Sequence, residues 1–459
     1  MPENNDIILK GAHDDIKGKK AVFVLFGATG DLARRYLIPA IRRIHDSGFK
    51  MPVIAISRRD YTTKDYVTHL NLDLPESFVK QLTYFKTDYT DDPKEFGKAV
   101  SKARKESGKG SFCVFYLAVP PELYEPITEY LEASGILDGT ERIIYEKPFG
   151  HNLKSAEKLN KCILDNFEEE QVYRIDHYLA KELVQKIMIF RFANSIFEEI
   201  WNNRFVDNIQ IIISEKEGIG TRSQYYDNSG AVRDVLQNHL LQVMSLIAME
   251  RPKNFDANSL RDRKLEVFRN VRLYDYIMGQ YDGYLDEKGV SKGSNTETLA
   301  AAKLFVNNER WRGVPFYLVS GKGLHKRFAE VNIFLKVSKN RLFSDEKPNV
   351  ISINIQPDEG IKILFNGKEP GSMNLISAVM DYCHKCLFNG NTPETYEKLI
   401  GEVIRGDQTL FTRWDEVEET WKIAEKMLKG NNKLFKYEQG KNPKQLYDFL
   451  EKDGRKLII

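Results

Sequence analysis

The chain has 459 residues, 42% of them hydrophobic, enough for two or three domains with ample cores and too apolar for an extended disordered chain. Its 68 Lys plus Arg against 66 Asp plus Glu leave a formal charge of +2, which excludes the broad field that gathers nucleic acid or an anionic membrane. No apolar run approaches the roughly 20 residues of a membrane span, and the stretch Met1 to Lys20 is polar, so a cytoplasmic protein is expected.

After a polar tail over residues 1–20, the continuous apolar run Ala21 to Phe26 ends in a glycine, the pattern of a strand buried on both faces. A helix is expected from Asp31 to about His45, then strands at Val53 to Ser57, Phe112 to Ala118 and Arg142 to Tyr145. Helical stretches fall at Pro93 to Glu106, Pro121 to Ala133 and Leu153 to Asn166. Alternating strands and helices imply a doubly wound parallel sheet, an α/β Rossmann-like domain over residues 21–177. Ligands of such a sheet sit at the carboxyl ends of its strands.

Beyond about residue 200 the period changes to two, as in Ile209, Ile211 and Ile213. A long helix is expected from Gly230 to Ala248, and further strands at Phe316 to Ser320, Ala329 to Lys336, Ile351 to Ile355 and Ile361 to Phe365. The closing helices fall at Asn374 to Leu387, Thr395 to Val403 and Trp414 to Leu428. Residues 178–459 therefore read as an α+β domain with a large, mainly antiparallel sheet. Of the four cysteines, Cys383 and Cys386 read as a reduced structural pair on that first closing helix, rather than a zinc or redox site.

The densest chemistry lies in Arg174 to Glu182, which crowds a carboxylate, an imidazole, a phenol and an ammonium together. His177 and Lys181 are four apart and share a face if the segment is helical, where with Tyr178 they converge on an anion such as a phosphate. Asp176, an acceptor-only group, suits the task of orienting a histidine, and His239 on the long helix is the candidate general base. Asp234 lies five residues before it, on a neighbouring rather than the same face. Asp227 is placed to cap the helix, and Glu215 and Asp234 offer polar groups for sugar hydroxyls. Lys322 and Arg327 add cations after a strand of the second sheet. Lys147, in Glu146 to Gly150, follows a strand of the parallel sheet, and Pro148 ends that strand so that the ammonium faces the crevice.

On the dinucleotide side, Gly27, Ala28, Thr29, Gly30, Asp31 and Leu32 join the first strand to its helix, where small residues and the helix N-terminus suit a pyrophosphate. The second strand ends in Ser57, Arg58 and Arg59, which favours NADP, while NAD stays possible.

Together these blocks resemble the glucose-6-phosphate dehydrogenase family over nearly the whole chain. The matching stretches include Gly27 to Ala33, Phe115 to Pro121, Glu146 to Gly150, Arg174 to Glu182, Arg191 to Asn194, Tyr225 to Met249, Gly313 to Tyr317, Gly406 to Phe411 and Asp415 to Glu418. The resemblance implies oxidation of β-D-glucose 6-phosphate to 6-phosphoglucono-δ-lactone with NADP, without a metal, His239 acting as base and Asp176 steadying the imidazolium. It implies that His177, Tyr178 and Lys181 hold the phosphate and that Glu215, Asp234, Lys322 and Arg327 meet the rest of the substrate. Lys147 then lies between sugar and cofactor, and Arg58, Asp88 and Tyr89 join the dinucleotide set. A homodimer through the large sheet, or a dimer of dimers, is also implied. Tyr36 departs from a family lysine, Ala180 from a glycine and Val319 from an arginine. The open alternatives are a dehydrogenase of another sugar or sugar phosphate, and a catalytically silent sensor of NADP or sugar phosphate.

Overall fold

The computed structural model describes residues 16, 18–338, 340–383, 394–430 and 433–458. It divides into two compact units, one made of Met1–Ala180, Asp256–Arg261 and Asn391–Trp414, the other of Lys181–Phe255, Asp262–Gly390 and Asp415–Ile459.

The first unit is built on the strands β1 (Ala21–Phe26), β2 (Val53–Ser57), β3 (Leu82–Lys86), β4 (Phe112–Leu117), β5 (Arg142–Tyr145) and β6 (Val172–Ile175). They pair in parallel in the order 3-2-1-4-5-6, and a two-residue strand, Phe411–Thr412, adds antiparallel to β6. This is the dinucleotide-binding order, with its reversal between β1 and β4. Every residue of β1 and β4 is buried, because helices cover both faces. Phe23 and Leu25 pack with Leu37, Ile41 and Ile400 on one side, while Val22, Val24 and Phe26 pack with Phe96, Tyr124 and Ile127 on the other. Each such side chain contributes about 1.5–3 kcal/mol on burial, and alternation along the strand sends successive residues to opposite layers.

The second unit holds a nine-stranded sheet of β7 (Val206–Ser214), β8 (Val271–Tyr281), β9 (Leu299–Val306), β10 (Pro315–Gly321), β11 (Phe328–Leu335), β12 (Val350–Gln356), β13 (Gly360–Lys368), β14 (Leu375–Cys383) and the short strand Phe435–Tyr437. The order is 14-13-12-11-7-10-9-8 with the short strand beyond β8; among the described residues only β7 with β10 and β8 with the short strand run parallel. The fold is therefore α/β plus α+β.

Two expectations fail at the edge of this sheet. Leu375–Cys383 is a strand paired in register with β13, not a helix: Leu375, Ser377, Val379 and Asp381 alternate with Ile376, Ala378 and Met380 along the neighbour's edge. A run apolar on both sides of the alternation reads as either element until a pairing partner is known. Cys383 is disulfide-bonded rather than reduced, and Cys386 and the remainder of the expected helix lie outside the described residues.

Candidate functional site

In the first unit, Gly27 closes the turn after β1. Its φ is +77°, and a Cβ there would lie 2.2 Å from the carbonyl oxygen of Ala118, just past β4, so only glycine lets the chain cross at the point where strand order reverses. Thr29 Oγ1 lies 2.9 Å from Ser57 Oγ, tying this turn to the end of β2, and Tyr66 donates to the carbonyl of the buried Ala28. Asp31 and Leu32 open the helix that runs on through Asp46. Asp31 is exposed and accepts from Arg35 at 3.2 Å, while Leu32 packs against the core. Arg58 and Asp88 are exposed just past β2 and β3. Tyr89, half-buried against Phe26, has its phenol pushed up to about 12 by burial and is a neutral donor at physiological pH. A helix N-terminus behind a glycine turn at the point where strand order reverses fits a nicotinamide dinucleotide.

At the carboxyl end of β5 stand Glu146 and Lys147, the latter joined to Pro148 by a cis bond. Just past β6, Asp176 is buried, and one of its carboxylate oxygens accepts from the Tyr178 backbone N–H at 2.9 Å. His177 is half-buried with its ring 5.1 Å from the ring of Tyr178, which is itself buried. The expected shared helical face of His177 and Lys181 does not form. Residues 177–180 are a turn, Lys181 is an extended residue preceding the helix Glu182–Phe192, and the two lie in different units. The reason is local, since Asp176 bonds the backbone two residues on and closes a turn in place of a helix.

In the second unit, β7 and β10 run parallel with Ser214 opposite Gly321, so the next residues, Glu215 and Lys322, come side by side. The buried ammonium of Lys322 lies 2.7 Å from Glu215 and 5.2 Å from the centre of the Tyr226 ring. Arg327, five residues on, is exposed. Lys181 donates to the Gln356 side chain at the end of β12.

The helix expected over Gly230 to Ala248 is continuous from Ala231 to Ala248, and a kink at Gly230 separates it from the helical segment before it. Ser223–Ala231 is kinked at Gly230, where φ is +69° and a Cβ would lie 2.4 Å from a carboxylate oxygen of Glu297. That carboxylate accepts from the Val232 N–H at 3.0 Å, so Glu297 starts the second helical segment. Asp227, expected as its cap, instead holds the chain after β8 through Tyr284, Ser291 and Ser294. Val232–Leu240 winds as a π-helix, whose i→i+5 bonding stacks residues five apart. Asp234 and His239 therefore share a face that α-winding would deny them. Both are buried, and Tyr225 lies 3.5 Å from Asp234. Glu297 is the residue the sequence reading missed, because nothing local links it to a helix 65 residues earlier.

Of the three departures, Ala180 and Val319 are core residues, where an apolar side chain is the fitting choice; Tyr36 is partly exposed, its ring 5.7 Å from that of Tyr396. Among the described residues no helix is long and apolar enough to cross a membrane.

Comparison with known proteins agrees with this geometry. Residues 24–186 match the glucose-6-phosphate dehydrogenase NAD binding domain, and 188–458 match the glucose-6-phosphate dehydrogenase C-terminal domain. The glucose-6-phosphate 1-dehydrogenase of Bacillus subtilis (strain 168) is 38% identical over 476 aligned residues, covering 95% of this chain and 97% of its own. A glucose-6-phosphate dehydrogenase solved in complex with its substrate glucose-6-phosphate superposes with a TM-score of 0.89 at 31% identity, over 96% of this chain and 99% of that one. The Mycobacterium avium enzyme superposes at 0.85 with 33% identity, over 96% and 99%. The chain belongs to the glucose-6-phosphate dehydrogenase family.

Proposed function

We propose that this protein oxidises β-D-glucose 6-phosphate at C1 to 6-phosphoglucono-δ-lactone, with NADP as the preferred acceptor. Membership in the family across both domains carries this reading. A bound nicotinamide dinucleotide supplies the hydride acceptor. His239 takes the C1 hydroxyl proton, and Asp176 holds the imidazole tautomer and steadies the imidazolium that forms. Each group is buried, which supports the assignment, because a low local dielectric strengthens the electrostatic interactions that a side chain makes. His177, Tyr178 and Lys181 hold the 6-phosphate. Glu215, Asp234, Lys322 and Arg327 meet the sugar, and Lys147 stands between sugar and cofactor. On the cofactor side the residues are Gly27 to Leu32, Arg58, Asp88 and Tyr89, the exposed Arg58 and Arg59 favouring a 2′-phosphate. A cytoplasmic homodimer, joined through the large sheet, accompanies this reading; the exposed strand β14, with Ile376 and Met380 open on one face, supports it.

NADPH absorbance tests the proposal. Glucose 6-phosphate with NADP gives turnover; glucose gives little, and NAD less than NADP. His239→Asn lowers kcat by about 10²–10⁴-fold and spares substrate affinity. Near-normal rates in that variant would remove the base, and bound ligands with flat absorbance in the wild type would favour a silent sensor.

A further inference from the structure

The carboxyl end of β5 carries an arrangement that the proposed mechanism does not use. The Tyr116 hydroxyl on β4 donates to a Glu146 carboxylate oxygen at 2.5 Å, and the Tyr396 phenol, from the helix Thr395–Arg405, bonds the same carboxylate. From the opposite layer, the Tyr124 hydroxyl donates to the Glu146 main-chain carbonyl at 2.7 Å. Tyr116 and Tyr396 pack with the core on one side of the sheet, and Tyr124 with that on the other, so one residue is gripped from both faces. Tyr36 lies against the Tyr396 ring.

An ionisable group in such a setting costs free energy unless it is well bonded, and a strand end needs no carboxylate to stop. Burial pushes the Glu146 carboxyl up, while the Tyr116 bond, the Lys147 charge and the Tyr396 bond pull the other way. Tyr116 and Tyr396 are themselves pushed up, chiefly by burial, so both phenols stay protonated donors. The next residue along the chain is Lys147, whose ammonium is one of the charges that Glu146 feels.

We propose that Glu146 is a positioning residue: held by three phenols, it fixes the main chain and the electrostatic surroundings from which Lys147 reaches sugar and cofactor. The inference rests on the function proposed above. Misplacement of a bridging cation by an ångström is worth up to about 100-fold in rate.

Steady-state kinetics on the full chain with glucose 6-phosphate and NADP test it through Glu146→Gln, which keeps the shape and removes the charge, and Tyr396→Phe, which removes one oxygen. The expected result is kcat/KM lowered by about 10–100-fold in Glu146→Gln and by a smaller factor in Tyr396→Phe, with little change in thermal midpoint. In a Lys147→Arg background the Glu146→Gln loss shrinks to under about 2-fold, because the two residues act as a unit. A purely structural carboxylate would instead give losses that multiply, and that result overturns the proposal. So does a folded Glu146→Gln with wild-type kcat and KM; if that variant fails to fold, Tyr396→Phe with wild-type constants decides the same way. An inactive wild-type chain overturns the proposed function and this inference with it, whereas an active wild type with unaffected variants overturns this inference alone.

Discussion

Two apolar strands of this molecule have opposite fates. β1, Ala21 to Phe26, is buried at every residue between two helical layers, whereas β14, Leu375 to Cys383, is largely exposed, with Val379 and Met380 more than half open to solvent. Both are rich in residues that favour strands and core. What separates them is position, since β1 has a strand on each side and helices on both faces, while among the described residues β14 is the last strand of its sheet and pairs only with β13. Apolar content therefore says that a segment wants to be covered; the topology says whether its own chain covers it.

Replacing Leu25 with alanine is the strongest way to sharpen this comparison. The side chain is fully buried in the middle of β1, so the truncation leaves a cavity and is expected to cost about 2–5 kcal/mol. Leu318→Ala in β10, equally buried but in the other unit, is expected to cost the same amount. Denaturant titration of each variant checks both. If Leu318→Ala were nearly neutral, the contrast would lie between the units rather than between central and edge strands.

The same contrast explains what was legible in the sequence. The strands β1, β2, β4 and β5 and the glycine turn after β1 could be read because a strand buried on both faces is a short unbroken apolar run, and a turn that crosses a neighbouring strand requires a glycine. β14 could not, because a run with apolar residues on both sides of the alternation looks the same as a buried helix. Among site residues, the pairing of Glu215 with Lys322 follows from strand register across 107 residues, and the grip of Tyr396 on Glu146 from a helix 250 residues later; spacing encodes neither. His177 and Lys181 illustrate the reverse case, in which correct spacing for a helix is overridden by the Asp176 side chain bonding the Tyr178 N–H. The π-winding that brings Asp234 and His239 onto one face has no sequence signature at all.

An intermediate effect is expected at Asp227, which is neither core nor open surface. Burial pushes its carboxyl up, but the bonds from Ser294, Ser291 and Tyr284 outweigh burial and hold it down at about 2, below the usual value of 3.8. A carboxyl with a depressed folded value stabilises the fold only when ionised, so its contribution is present above about pH 4 and disappears as pH falls through about 2. Asp227→Asn is expected to cost about 1 kcal/mol at neutral pH, a figure reduced for solvent screening, and close to nothing near pH 2. Stability curves of both proteins from pH 7 to pH 2 check the sign; a gap that widened on acidification would contradict it.

The smallest effect on folding is expected where the comparison is most exposed to failure, at Met380. Its side chain is 61% exposed, so Met380→Ser removes little buried area, and the unfolding free energy of dilute protein should move by no more than about 0.5 kcal/mol. If the open face of β14 is the surface through which two copies join, the same substitution acts on association instead. An apolar anchor near the middle of an interface is typically worth more than about 1 kcal/mol, enough to raise the dissociation constant several-fold. Sedimentation velocity across a concentration series separates the two quantities. Unchanged folding with weakened association means that a second copy covers β14 in solution as helices cover β1 within the chain, whereas identical sedimentation of variant and wild type means that the strand stays open and that exposure, not self-burial, is its stable state.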